Sequence, residues 1–379
     1  MGIRRLLSLL VLSLSFFSVS VFAGEPGSEN KAAEAASEKK GINITELVFG
    51  HVSDSHEWHL FSLNTGKGEP RPVAMPLPII LYQPGLGFTL MSSGKFEEWH
   101  DGGNGKKISN VYNGFYIEKE MKEKIKAEDG SVVYDLSITK NVLSMMIGVI
   151  LLLWAMTSAA KKYKTAPMKA PSGFQNAVEA IVVFLRDEVA IPNLGNKYLR
   201  FTPLLLTVFF FIWINNLLGL LPGGANFTGN IAVTGCLALI TFIVMMANST
   251  KYFWGHLLNP PNVPFLVKCL LVLIEVMSLV IKPVALMIRL FANMLAGHIV
   301  ILSVICLIFI FALMNQFVGG GFVLVSLAFS IFMFMLELLV AAIQAFIFVN
   351  LTAVFIGQAI ESHHGHDDHG HEDAHKSIA

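Results

Sequence analysis

Apolar and polar positions alternate along this chain on three different scales. An almost unbroken apolar run covers residues 6–23, a mixed region with short β-branched and aromatic clusters covers 24–140, and from 141 to 360 long apolar stretches follow one another. Crossing a hydrocarbon core of about 30 Å takes about 20 helical residues. Runs of that length lie at 142–160, 203–221 and 231–248. Two more, at 265–314 and 322–360, are much longer, and at 1.5 Å per residue they would measure about 75 Å and about 58 Å. Each is either two crossings or one helix tilted steeply in the bilayer.

Loop charge decides between these. Lys161, Lys162, Lys164 and Lys169 follow the first crossing and Lys251 the third, whereas "PGGANFTGN" after the second and "NQFVGGG" after the fourth carry no charge. Basic loops stay in the cytoplasm. With an exported start, five crossings satisfy every loop, the last two long and tilted as a hairpin. Between the first two, "GFQNAVEAIVVFLRDEVA" (173–190) sets Phe174, Ala177, Val178, Ile181, Val182 and Leu185 at helical spacing, with Gln175, Glu179, Arg186 and Asp187 elsewhere. This predicts an amphipathic helix on the membrane surface or against a partner.

At the N-terminus Arg4 and Arg5 precede the apolar run and "VFA" closes it, the pattern of a secretory signal peptide cut after Ala23, with an uncleaved first transmembrane helix as the alternative; either way residue 24 onward is exported. Residues 24–40 read as a flexible linker. Beyond them "HEWHLFSL", "MPLPIILYQ", "GFTLMSS" and "NVYNGFYI" suggest several short strands between Gly, Pro and Asn breakers. The expected fold class is an all-α polytopic membrane protein of about five transmembrane helices, with a surface amphipathic helix and a small β-rich exported N-terminal module. Its divisions are a signal peptide at 1–23, the exported linker and module at 24–140, a transmembrane domain at 141–360 and a His-rich cytoplasmic tail at 361–379.

Composition agrees with a membrane solvent: 54% of the 379 residues are apolar and only 14% charged, against roughly 25% in soluble domains. The formal net charge is zero, and no basic stripe points to a nucleic acid. Cys236, Cys269 and Cys306 lie in apolar segments without metal-ligand spacing, so no disulfide framework is expected. His51, His56 and His59 with Asp54 match no closed ligand pattern and read as polar surface residues.

The polar residues inside the apolar segments carry the functional signal. A charge at bilayer depth costs at least about 2.5 kcal/mol, so such groups face protein or water and usually serve ion movement. Glu275, Lys282 and Arg289 are spaced by seven and form one stripe on a helix, extended by Asn293 one turn beyond Arg289. His298 is nine residues from Arg289 and points to the opposite side. Glu337 and Gln344 are again seven apart. In a hairpin turning at "NQFVGGG", His298 and Glu337 fall at comparable distances from the turn, a His/Glu pair suited to relaying protons. Asn215, Asn216 and Asn230 read as hydrogen-bonded helix locks, worth under about 2 kcal/mol each. Lys282, close to a proline, has snorkelling as an equal alternative. Arg289 is always charged and lacks a nearby carboxylate, so its partner is expected on another subunit.

These residues occur within recognisable motifs. "IEVMSLVIKPVALMIRLFANMLAGH" and "LVAAIQAFIFVNLTAVFI", with "PSGFQNAVEAIVVFL" and "FFFIWINNLLGLLPG", resemble the signature of the a-subunit family of F-type ATP synthases over about 140–360. The resemblance implies a non-catalytic stator subunit in the membrane sector of the synthase, working with a c-subunit ring and b subunits in a bacterial inner membrane. By position it implies that Arg289 is the essential arginine facing each passing c-ring carboxylate, and that Asn293, Glu275 and Gln344 line the proton path. Where other members place Glu and His, this chain places His298 and Glu337, keeping the pair with its order reversed. The implied ion is H⁺, with Na⁺ left open, and no cofactor is implied. The tail histidines His363, His364, His366, His369, His371 and His375 lie outside the family core; they are weak metal candidates, and a solvated tail is the preferred reading. A secondary transporter would need inverted repeats and an intramembrane hydrolase a nucleophile or metal constellation; neither pattern is present in the sequence.

Overall fold

The computed structural model describes residues 53–63, 71–96, 99–101, 107–119, 123–165, 172–221, 224–225, 227–259, 264–314 and 316–360. The expected signal peptide and His-rich tail, with His363, His364, His366, His369 and His371, lie outside the described residues.

Nine short strands form the N-terminal β module: β1 Glu57–Leu63, β2 Arg71–Pro76, β3 Pro78–Gln83, β4 Gly87–Ser92, β5 Trp99–Asp101, β6 Lys107–Ser109, β7 Phe115–Lys119, β8 Glu123–Ala127 and β9 Tyr134–Asp135. They pair antiparallel in three sheets, β1-β2, β4-β3-β9 and β5-β6-β7-β8. Two-residue periodicity builds the core. Ile79 and Leu81 of β3, Met91 of β4, Phe115 and Ile117 of β7, and Ile125 and Ala127 of β8 all point inward around Phe96. The "NVYNGFYI" segment is a strand only in its second half. Asn113 (φ 53) and Gly114 (φ 79) turn the chain there, and Tyr112 bridges back to Phe115.

Among the described residues, seven helices of eight or more residues follow, α1 Lys140–Thr165, α2 Phe174–Leu185, α3 Tyr198–Leu220, α4 Ile231–Ala247, α5 Lys251–Leu258, α6 Phe265–Met314 and α7 Gln316–Ile360. Several are long and apolar enough to cross a bilayer: the described residues offer four such spans, or five when α4 and α5, bent by 100° at a short break, count together. This is a polytopic membrane protein. The two longest runs are each one continuous helix of 50 and 45 residues. The helix expected to begin at 322 begins at Gln316, because the Gly319–Gly321 run is itself helical.

The segment predicted as a separate amphipathic helix leads without an open loop into the next span. α2 continues through a wide turn at Arg186–Ala190 and short helical turns at Ile191–Leu194 and Gly195–Lys197 into α3. Its buried face is Gln175, Val178 and Leu185 rather than one starting at Phe174, which is exposed.

The chain divides into two compact units, Met1–Trp154 with Ile212–Val233 and Phe291–Ala342, and Ala155–Phe211 with Thr234–Leu290 and Ile343–Ala379. In the first, α1 turns Asn141, Ser144, Met145, Gly148 and Leu152 inward, the spacing of a single helix face. In the second, small residues let α7 pack closely. Ala345, Ala353 and Ala359 are fully buried with Phe348, Val349 and Ile356, and a Cβ at Gly357 would collide with the Asn193 carbonyl. Asn193 also donates from Nδ2 to Asn350 Oδ1 at 3.2 Å. Thr250 caps α5 by accepting the Phe253 N–H at 3.2 Å, and its own N–H reaches the Ala359 carbonyl at 2.9 Å.

Candidate ion-translocation site

In the first unit the polar chemistry gathers around Glu337 of α7. Its side chain is buried, and neither carboxyl oxygen has a hydrogen-bond partner among the described residues. The reason it fits is Gly297 of α6, where an added Cβ would lie 2.6 Å from Glu337 Oε1 and 2.9 Å from Cδ. The carboxyl therefore rests against the α6 backbone at the residue before His298, which is half-buried with its Nε2 shielded from solvent.

Asn216 is fully buried beneath this group. Its Nδ2 donates to the Ala341 carbonyl at 3.3 Å, one turn along α7 from Glu337, and its Oδ1 accepts the Thr228 hydroxyl at 2.8 Å. Asn215 fills the notch left by Gly148 on α1, where an added Cβ would lie 2.5 Å from Oδ1 and 2.8 Å from Nδ2. Asn230 acts differently, accepting the Ala232 N–H at 3.0 Å at the start of α4. Asn293, on α6 of this unit, is exposed.

The second unit holds the rest of the predicted set. Arg289 stands exposed on α6, without an ion pair or hydrogen bond among the described residues. One turn to either side on the same face lie exposed Ala285, Ala292 and Asn293, while Leu286 and Leu290 are buried. Lys282, expected on the same stripe, behaves otherwise. Its Nζ donates to Gln358 Oε1 at 2.8 Å and sits 5.3 Å from the centroid of the Phe355 ring, so α7 holds it. Glu275 is half-buried and Gln344 buried. The heptad stripe thus splits by environment: Lys282 is engaged and Arg289 is bare.

The β module contains a charge cluster that the sequence spacing hid. His56 is buried, not a surface residue, with Nδ1 3.2 Å from Glu123 Oε2 and Nε2 2.9 Å from Asp135 Oδ2. Burial pushes its pKa down, but the hydrogen bonds and charges of Asp135 and Glu123 outweigh this and raise it from 6.5 to about 9. Glu123 responds inversely: burial pushes it up, and the His56 contact with Lys119 and the His56 backbone N–H brings it down to about 2. No group of three His, Cys, Asp or Glu side chains among the described residues could hold a metal ion. His51 lies outside them, as does the side chain of His59.

Residues 142–357, more than half of the chain, match the family described as ATP synthase A chain. The chain belongs to that family. Curated A-chain relatives agree, each named ATP synthase subunit a. The protein from Chloroherpeton thalassium is 43% identical over 249 residues, 64% of this chain and 72% of its own length. That from Chlorobium phaeobacteroides strain DSM 266 is 45% identical over 242 residues, covering 62% and 68%, and that from Myxococcus xanthus is 42% identical over 243 residues, covering 63% and 78%. Ahead of the A-chain region, residues 47–143 match a domain family of unknown function. The A-chain match therefore takes in every predicted intramembrane site residue from Glu275 to Gln344, while His56, Glu123 and Asp135 belong to the preceding domain. Gly297, Gly148, Gln358 and Phe355 escaped the sequence reading. A glycine before a histidine in a long helix was the one available hint of close approach.

Proposed function

We propose that this protein is the membrane-embedded stator subunit of an F-type ATP synthase, through which protons pass to turn a c-subunit ring. The observation that carries the reading is Arg289, a permanently charged guanidinium on an exposed helix face, without an ion pair or hydrogen bond among the described residues. Such a charge needs a carboxylate opposite it, and a rotating ring offers one carboxylate after another. The β module lies on the exported side and the C-terminus in the cytoplasm, as the basic loops imply; b subunits hold the stator in place.

In this mechanism a proton enters from the exported side and reaches Glu337 and His298, which pass it to a ring carboxylate. The neutralised carboxyl turns into lipid without its charge. After nearly a full rotation another carboxyl meets Arg289, whose fixed positive charge favours the ionised form and releases the proton toward the cytoplasm past Lys282 and Glu275. Asn293 and Gln344 line the proton path, and Arg289 also repels hydrated cations, keeping the two half-channels from short-circuiting. The protein itself performs no catalysis, and H⁺ is the ion assigned.

Arg289→Ala tests this. In inverted vesicles carrying the assembled complex it abolishes coupled ATP synthesis; normal synthesis by the variant would falsify the assignment.

A further inference from the structure

Every residue concerned lies in the first unit. Asp54, three residues before β1, accepts the backbone N–H of Ser55 at 3.1 Å and of Asn141 at 3.3 Å through Oδ1. The Lys140 N–H reaches the Ser55 carbonyl at 3.0 Å. The β module is thereby fastened to the first turn of α1 by a carboxylate. Asn141, Ser144 and Gly148 then descend one buried face of α1 over about 10 Å. At Gly148 the Asn215 side chain takes the space of the absent Cβ. Asn216 follows, bonded to Thr228 and to the Ala341 carbonyl one turn from Glu337.

We infer that the β module supplies the outer mouth of the ion path, with Asp54 as its first proton-exchanging group and Asn141, Ser144, Asn215 and Asn216 as the polar file leading to Glu337. This rests on the stator reading above. It adds a role for a domain that precedes the A-chain match and overlaps it only at residues 142–143.

Two features separate a path from a set of helix locks. A lock has its hydrogen bonds made, yet Asn141 Oδ1 near the outer end and both Glu337 oxygens at the inner end are buried acceptors without a partner among the described residues. Asn141 is only 5% exposed. Buried acceptors of this kind are costly unless water meets them, and a wetted file is what proton transfer requires. Second, the group at the mouth can exchange a proton. Burial, the largest influence, pushes the Asp54 carboxyl up from its ordinary 3.8, against the lowering effects of Thr139, the Asn141 N–H, Lys140 and His56.

The test uses the assembled complex in vesicles. Asp54→Asn keeps the acceptor oxygen for the Ser55 and Asn141 N–H groups and removes only the exchangeable charge. ATP synthesis is expected to slow by about 10²-fold when the exported side is alkaline, the modest end of what a positioned proton carrier contributes. The rate recovers as that side is acidified, and the amount of complex is unchanged. In a background with Cys236, Cys269 and Cys306 replaced by Ala, Asn141→Cys should be blocked by a membrane-impermeant thiol reagent added from the exported side. Parental rates for Asp54→Asn at every pH, or a uniform loss accompanied by less assembled complex, overturn the inference, as does an Asn141→Cys that never reacts. Glu337→Gln in the same vesicles separates the two levels. If it stops synthesis while Asp54→Asn does nothing, only the mouth is misplaced; if it too does nothing, the stator reading of the site fails.

Discussion

The carboxyl of Glu337 lies against the backbone of Gly297, so closely that a single methyl group at that glycine would stand 2.6 Å from Oε1. The clash falls on the end of a flexible side chain, so Gly297→Ala should displace the carboxyl rather than unfold the protein. A misplacement of about 1 Å at a reacting group costs about 10²-fold. Gly297→Ala is therefore expected to cut ATP-driven proton pumping by that order with normal assembly, and Glu337→Asp, one methylene shorter, to restore part of it in the double variant. Pumping at the parental rate in Gly297→Ala would show that the contact has no functional weight.

Gly148 and Asn215 make a comparable contact with a different expected consequence. Asn215 is buried and the notch is tight, so Gly148→Ala overpacks the helix pair at about 1–3 kcal/mol. Asn215→Ala vacates the space. Thermal melting of the four forms in a double-mutant cycle should show the double variant more stable than the sum of the singles predicts; strict additivity would mean that the two side-chain positions do not meet.

His298 and Glu337 invite an exchange. Each single change to Ala should lower proton flux strongly, whereas His298→Glu with Glu337→His retains more flux than either, because the pair keeps one imidazole and one carboxyl. Flux measured by a pH-sensitive dye in vesicles decides it. A double variant no better than the singles removes the relay from the mechanism.

The His56 cluster sets a pH window for the β module. His56 is raised from 6.5 to about 9, so its contribution is complete below 6.5 and is lost as pH rises through about 9. Glu123, lowered from 4.5 to about 2, and Asp135, lowered from 3.8, contribute above their unfolded values and lose that contribution as pH falls through their folded ones. Asp135 owes its shift to the His56 hydrogen bond and charge and to Ser137, which outweigh the opposing effect of burial. His56→Gln removes the cation between two carboxylates, a change of the kind that costs about 3–5 kcal/mol when a buried pair is broken. The deficit in melting temperature should be large near about pH 6 and shrink by about pH 10. A constant deficit across that range would mean that the imidazole acts by shape alone.

What the sequence disclosed follows from the physics of each region. Apolar runs longer than a bilayer requires can be read directly, so the helices carrying Arg289 and Glu337 were legible within a few residues. The early start of α7 was not, because Gly319–Gly321 reads as a turn in the sequence although it lies within the helix. β8 was missed because "EKIKA" looks like surface; Lys124 and Lys126 face solvent while Ile125 and Ala127 supply the core. The His56 cluster joins residues 67 and 79 positions apart in the chain, a pairing that spacing within one segment cannot reveal. Local periodicity similarly placed Lys282 on the Arg289 stripe but gave no sign of Gln358, which arrives from another helix.

The exposed guanidinium of Arg289 also bears on how the complex is made. Beside Ala285, Ala292 and Asn293 the charge has no ion pair among the described residues, and lipid offers it none. A subunit inserted ahead of its partners therefore advertises its own incompleteness. On the stator reading, cells that fail to produce the ring should accumulate little of it, because the uncompensated charge weakens its hold in lipid.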